Sequence, residues 1–334
     1  MINKKVVLFS AVLAAIPSVC LADSVAPLGV ASAYNLVALG YNGIDGSIIA
    51  NTDVTGRIAA ASTVSGSMTL GSSLNSDPWG SNATYGLVAT TGLGSGTQIN
   101  MNGGGKVYAP GSNGNINFNE PASQSGRVTS GSSGIDFSSL RTTLDNESLQ
   151  LAALTATGQV LGTNTPGSGN PSFFVLKGTD PVLNVFNITA AEFASSNNPL
   201  DIIAPVGSTI IINVDGTDPT LGAAIYYNGV QHSGDDAADE DILFNFATAS
   251  TLTLDQGFSA SVLAPFAILT NTGQIGGNFI AAQINSSGEV HNVEFNGTLP
   301  GDPGTLTATP EPGTLVLLGT GVLSLAGVLR KRKR

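Results

Sequence analysis

Between Ala31 and Thr129 the apolar residues come in short runs punctuated by Gly, Asn, Ser and Asp. Runs this short cannot build helices. They read as strands joined by tight turns: Tyr34 to Leu39, Ser47 to Ala50, Arg57 to Ala60, Tyr85 to Ala89, Lys106 to Ala109 and Asn115 to Asn119. In the last of these, Ile116 and Phe118 alternate with Asn115, Asn117 and Asn119, which puts three carboxamides on one face. No run is deep enough for a two-sheet sandwich, and 42 glycines with 6% aromatic residues suit tight corners. The fold expected is therefore mainly β, a parallel β-helix or β-solenoid, and an irregular one because no strict period is visible.

One element breaks this texture. Asp136 can cap a helix in which Phe137, Leu140, Leu144, Leu151 and Leu154 recur at helical spacing, with Leu149 and Ala152 beside the stripe and Gly158 placed to end it. The expectation is a long amphipathic helix over about 136–157, packed alongside the strands. After a Gly/Pro/Ser/Asn loop the strands return and continue to Phe295. Apolar triplets such as Ile210 to Ile212 imply burial on both faces.

The two ends read as processing segments. Lys4 and Lys5 precede an apolar stretch, and small residues near Ala22 place signal-peptide cleavage between Ala22 and Asp23, so residues 1–22 form a signal helix for export through the Sec translocon. Cys20, the one cysteine, lies inside it, which leaves the mature chain without disulfides, thiol catalysis or cysteine-based zinc sites. At the other end Pro310, Glu311 and Pro312 precede an uncharged apolar helix from Thr314 to Leu329 and the basic tail Arg330 to Arg334. An uncharged run only sixteen residues long makes a marginal span, and the cations hold that end in the cytoplasm. Residues 301–309 are a linker, which leaves residues 23–300 as the domain.

The charges follow from this division. Of 12 Lys and Arg, only Arg57, Lys106, Arg127, Arg141 and Lys177 fall outside the two ends, whereas all 23 Asp and Glu lie from Asp23 to Glu311, a stretch of net charge −18. Such a surface repels nucleic acid and anionic membranes.

The order of Pro-Glu-Pro, short apolar helix and basic tail resembles the PEP-CTERM sorting signal of Gram-negative bacteria. The resemblance implies processing by a membrane enzyme of the exosortase type, with Pro310, Glu311 and Pro312 as the recognition element. It also implies export through the inner membrane, a transient membrane anchor through the C-terminal helix, and then the cell surface or the medium. A second set of residues resembles the choice-of-anchor A domain, an ice-binding-like adhesive module. These are Tyr34-Asn35-Leu36, Val54-Thr55-Gly56-Arg57-Ile58-Ala59, the mid-chain helix, Ile242 to Phe246, Val262 to Pro265, Gly276 to Ala281 and Phe295-Asn296-Gly297. Ala60-Ala61-Ser62 stands where that family usually has a Gly pair. The resemblance implies a β-solenoid with a helix alongside, working as a non-catalytic adhesin or a biofilm or exopolysaccharide-associated matrix protein.

Chemistry is sparse. His232 and His291, the only histidines, sit in no catalytic motif, so no catalytic residue is assigned. Asp235, Asp236, Asp239, Glu240 and Asp241 could gather Ca²⁺, but their spacing matches no calcium loop, and a solvated acidic loop is the expectation; no cofactor is assigned. The alternative function is a carbohydrate-active β-helix enzyme acting on exopolysaccharide, which would need convergent carboxylates with a cation. Ice binding ranks lower, because only Thr251-Leu252-Thr253 has the threonine spacing of a flat ice-binding face.

Overall fold

The computed structural model describes residues 28–74, 85–103, 105–111, 114–119, 126–162, 173–194, 199–222, 224–232 and 240–300. The signal peptide, linker and sorting segment lie outside them. The described chain is mainly β and mostly parallel, consistent with a solenoid-like fold. Through the central part of the chain each coil adds one short segment to each of three parallel ladders.

The longest ladder has an order that chain sequence does not follow. It runs Gly126–Val128, Lys106–Tyr108, Leu87–Ala89, Ile58–Ala60, Leu36–Ala38, Phe279–Ser286, Ser261–Asn271, Ile242–Asn245, Thr209–Asp215, Leu183–Thr189. The chain starts in the middle of the stack, climbs to one end, restarts at the other end and returns. Its first coil therefore sits between its second and its last, with Leu36 opposite both Ile58 and Phe279.

Alternation along these strands builds two cores. Phe186, Ile212, Phe244, Val262, Phe279, Leu36, Ile58, Leu87 and Val107 stack inside the coils, and Phe244, Phe258 and Phe279 meet edge to face at 5.0 and 6.3 Å. The intervening residues Val185, Ile211, Leu243, Leu263, Ile280 and Val37 point out of the coils and are buried too, in a second core with Leu140, Leu144 and Leu151. This is why triplets such as Ile210 to Ile212 carry no polar residue.

The helix that covers this outer face spans Phe137–Ala152, shorter than the stripe of leucines suggests. Asp136 caps it, accepting from the Ser138 and Ser139 amides at 3.1 Å, and those bonds hold its carboxyl below the usual range. Gly158 does not end the helix. Its amide donates to the Val185 carbonyl, and a Cβ there would lie 2.1 Å from the Phe186 ring, so glycine serves close packing.

The helix ends on a column of asparagines instead. Asn187, Asn213 and Asn245 are in register on adjacent strands and bond to one another, Asn245 to Asn213 and Asn213 to Asn187, both at 2.9 Å. Each also donates to the helix side, to the carbonyls of Leu154, Leu151 and Ser148 respectively, at 3.1, 2.8 and 2.9 Å. Three residues of helix rise about 4.5 Å, close to the ~4.8 Å between strands. One carbonyl per coil therefore meets one carboxamide along the edge where the helix lies on the sheet.

Candidate functional site

Several residues that carry the second resemblance, from Tyr34 to Phe295, converge where the first coil meets the last. Buried Asn35 donates to the carbonyls of Gly277 and His291, both at 3.1 Å, and accepts from the Arg57 amide. Buried Asn278 donates to Ser32 and Tyr34 carbonyls at 2.9 and 2.8 Å and accepts from the Phe295 amide at 2.6 Å. A Cβ on Gly56 would stand 1.7 Å from Asn35 Oδ1, so only glycine leaves the carboxamide its place. Burial pushes the Tyr34 hydroxyl up to about 12 and lowers the Arg57 guanidinium. This constellation is a seam between the two halves of the chain, and it presents nothing to a ligand.

The surface with binding character lies on another ladder: Asn115–Phe118, Gln98–Met101, Thr63–Leu70, Asp53–Val54, Val290–His291, Ile275–Gly276 and Phe258–Ser259. The long strand Thr63–Leu70 reaches it by turning at Gly66. The φ there is +114°, and a Cβ would lie 2.0 Å from the Ala50 carbonyl oxygen, which excludes any side chain. Ile99, Met101, Met68 and Leu70 point inward and are buried. Outward, in register, stand Asn115, Gln98 and Ser67, and beside them Asn117, Asn100 and Thr69. Asn119 and Asn102 continue the array, bonded at 2.6 Å, and Asn117 reaches Asn119 at 3.0 Å. In a stretch with so large an excess of carboxylates these outward positions bear no charge until Asp53. The alternation at Asn115 to Asn119 was readable; that Gln98, Asn100 and Asn102 lie beside it was not, because register joins them.

The two histidines lie near the far end of this ladder. His291 is buried, with Nε2 at 2.6 Å from Gln274 Nε2, and His232 lines a small cavity with the same glutamine. Of the acidic group, Asp235, Asp236 and Asp239 lie outside the described residues. The Glu240 carbonyl accepts from the Asn296 amide, and burial raises the Asp241 carboxyl. Among the described residues no three His, Cys, Asp or Glu are placed to hold a metal ion. Ala22, Asp23, Pro310, Glu311 and Pro312 also lie outside the described residues.

A family model described as "Putative Ice-binding-like adhesive domain" matches residues 27–292. The chain belongs to this ice-binding-like adhesive family. The matched region takes in the carboxamide ladder and all of the seam except Phe295. A second model, the PEP-CTERM protein-sorting motif, matches residues 308–333, and it makes this family member an exported protein sorted to the cell surface or extracellular space of a Gram-negative bacterium by exosortase. No curated protein and no solved structure matches the chain.

Replacing Pro310, Glu311 and Pro312 by alanine is expected to leave export intact while stopping C-terminal processing, since the substitutions leave the apolar run and the basic tail unchanged. Mass spectrometry of the mature C-terminus checks this, and identical termini in variant and wild type would count against recognition at these residues.

Proposed function

We propose that the protein is a non-catalytic adhesin or matrix component of the exported surface, which holds a neutral, hydroxyl-rich polymer on its carboxamide ladder. The observation that carries this reading is the uncharged Asn/Gln/Ser/Thr array on an otherwise acidic chain. A carboxamide both donates and accepts, so a row of them can pair with hydroxyls that do the same. Strands held about 4.8 Å apart present those groups at a regular, rigid spacing with little ordering cost on binding. The absence of charge suits a neutral polymer, because a charged one would need a desolvated partner of opposite sign.

Retention on cellulose, chitin and cross-linked dextran tests this. The wild-type protein is expected to be held by at least one of them, and Asn100→Ala with Asn117→Ala should weaken retention about fivefold or more while the melting temperature stays within a few degrees, since both side chains are exposed. Retention of the double variant equal to wild type, or no retention on any of the three, removes the reading.

The enzyme alternative keeps one observation. Val54 and Val290 pair across strands, so the exposed Asp53 and Glu289 before them are neighbours on the same outward face. Two carboxylates side by side are what glycoside hydrolysis uses. Release of reducing ends from a retained polymer, abolished by Glu289→Gln, would replace adhesion by hydrolysis. Ice binding also gains a column, Thr220, Thr253 and Thr270 in register. It continues into Asn285 and Ile49 and is only half exposed at Thr253 and Thr270, which breaks the flat threonine face that reading needs.

A further inference from the structure

The carboxamide column does not stop at Asp53 and Glu289. Val290 pairs with Ile275 and Ile275 with Phe258, so the next outward positions along it are Gln274 and Gly257. There the ladder ends at Phe258–Ser259 and a separate five-stranded sheet begins, with its strand Val230–Gln231 leading to His232. Between the two lies a cavity of about 230 Å³ lined by Gln231, His232, Gln256, Gly257, Ser259 and Gln274. The Ser259 hydroxyl donates to the His232 carbonyl at 3.4 Å, the Tyr226 hydroxyl donates to Gln231 Oε1 at 3.0 Å, and the Gln274 carboxamide rests on His291. The chain's only two histidines, far apart in sequence, are thus brought to one glutamine.

The lining decides the ligand class. Among the described residues no carboxylate, lysine or arginine lines the cavity, although Glu289 stands beside Gln274 on the column, so a phosphate would meet no cation and a metal ion would lack carboxylate ligands in the lining. Three glutamine side chains, a hydroxyl and an imidazole instead offer paired donors and acceptors, the complement of vicinal hydroxyls. The volume falls below the ~300–1,000 Å³ of pockets for drug-sized ligands, which suits a single sugar ring.

We propose that this cavity is a single-sugar subsite, which takes a terminal or branching hexose of the polymer whose backbone lies along the carboxamide column. The part about the polymer rests on the adhesive reading; the subsite itself does not. Asn100 and Gly257 are five strand steps apart on that column, about 24 Å at the usual strand spacing, so one polymer chain can occupy both while a monosaccharide occupies only the cavity.

Gly257 provides a clean block. A Cβ built on it meets nothing nearer than the Gln274 carbonyl at 3.8 Å, and the residue is exposed, so Gly257→Leu fills the cavity mouth without disturbing the backbone. Glucose, galactose, mannose and N-acetylglucosamine are titrated into the full exported protein by saturation-transfer NMR and calorimetry. At least one is expected to bind saturably in the millimolar range. Gly257→Leu and, independently, Gln256→Ala should weaken that sugar about tenfold or more at unchanged melting temperature, while Asn100→Ala with Asn117→Ala should leave its affinity within about twofold. No saturable binding of any of the four sugars, or equal binding by Gly257→Leu, overturns the subsite. No polymer retention by the wild-type protein, or retention unchanged in Asn100→Ala with Asn117→Ala, while monosaccharide binding is intact overturns the polymer array and leaves the subsite standing.

Discussion

Leu144→Asp is expected to lower the melting temperature of the exported protein by roughly ten degrees. Leu144 is 1% exposed and sits in the outer core among Leu243, Leu263 and Ile280. The substitution removes a buried side chain and puts an unpaired charge against apolar strands, a combined cost of about 3–5 kcal/mol. In a domain this large each kcal/mol shifts the midpoint by about 2–4 °C. The control is Leu149→Asp on the same helix, where the leucine is 53% exposed and the cost should stay within about 0.5 kcal/mol. Thermal melts of both variants check the pair, and equal midpoints would show that the helix lies outside the cooperative unit.

Asn278→Ala should cost as much without changing any apolar contact. Its carboxamide is the partner of two carbonyls, one buried and one half-buried, and of one buried amide, from segments at opposite ends of the chain. Truncation leaves those groups unpaired, at about 1–3 kcal/mol each and less than additively, so a total near 3–5 kcal/mol is expected. Because the lost bonds tie the first coil to the last, the halves should separate in hydrogen exchange. Faster exchange confined to the segments around Leu36 and Phe279 is the anticipated pattern. Uniform exchange and an unchanged midpoint would mean that strand pairing alone closes the stack.

Both variants act on features of very different visibility. Leu144 was readable as part of a stripe, since helical spacing and the Asp136 cap are local properties of a few consecutive residues. Where that helix stops was not readable. Leu154 keeps the spacing but lies beyond the last turn, where its carbonyl accepts from Asn187, a residue of another part of the chain. Asn278 and Asn35 looked like motif residues with no evident task, and their task exists only once segments more than 240 residues apart touch.

The sequence by itself therefore determined the class of the fold: short strands, glycine corners, a helix from Asp136 and apolar triplets buried on two faces. Each follows from interactions within a few residues, where period and capping decide. It also carried the sorting motif, which is a linear signal. Tertiary structure alone decided the strand order, because placing the first coil against the last depends on which distant backbone groups pair, and hydrophobic period is blind to that choice. The candidate site belongs to the same category. Asn117, Asn100 and Thr69 become one array, and Gln274, Gly257 and His232 one cavity, only because parallel register sets residues from separate coils side by side.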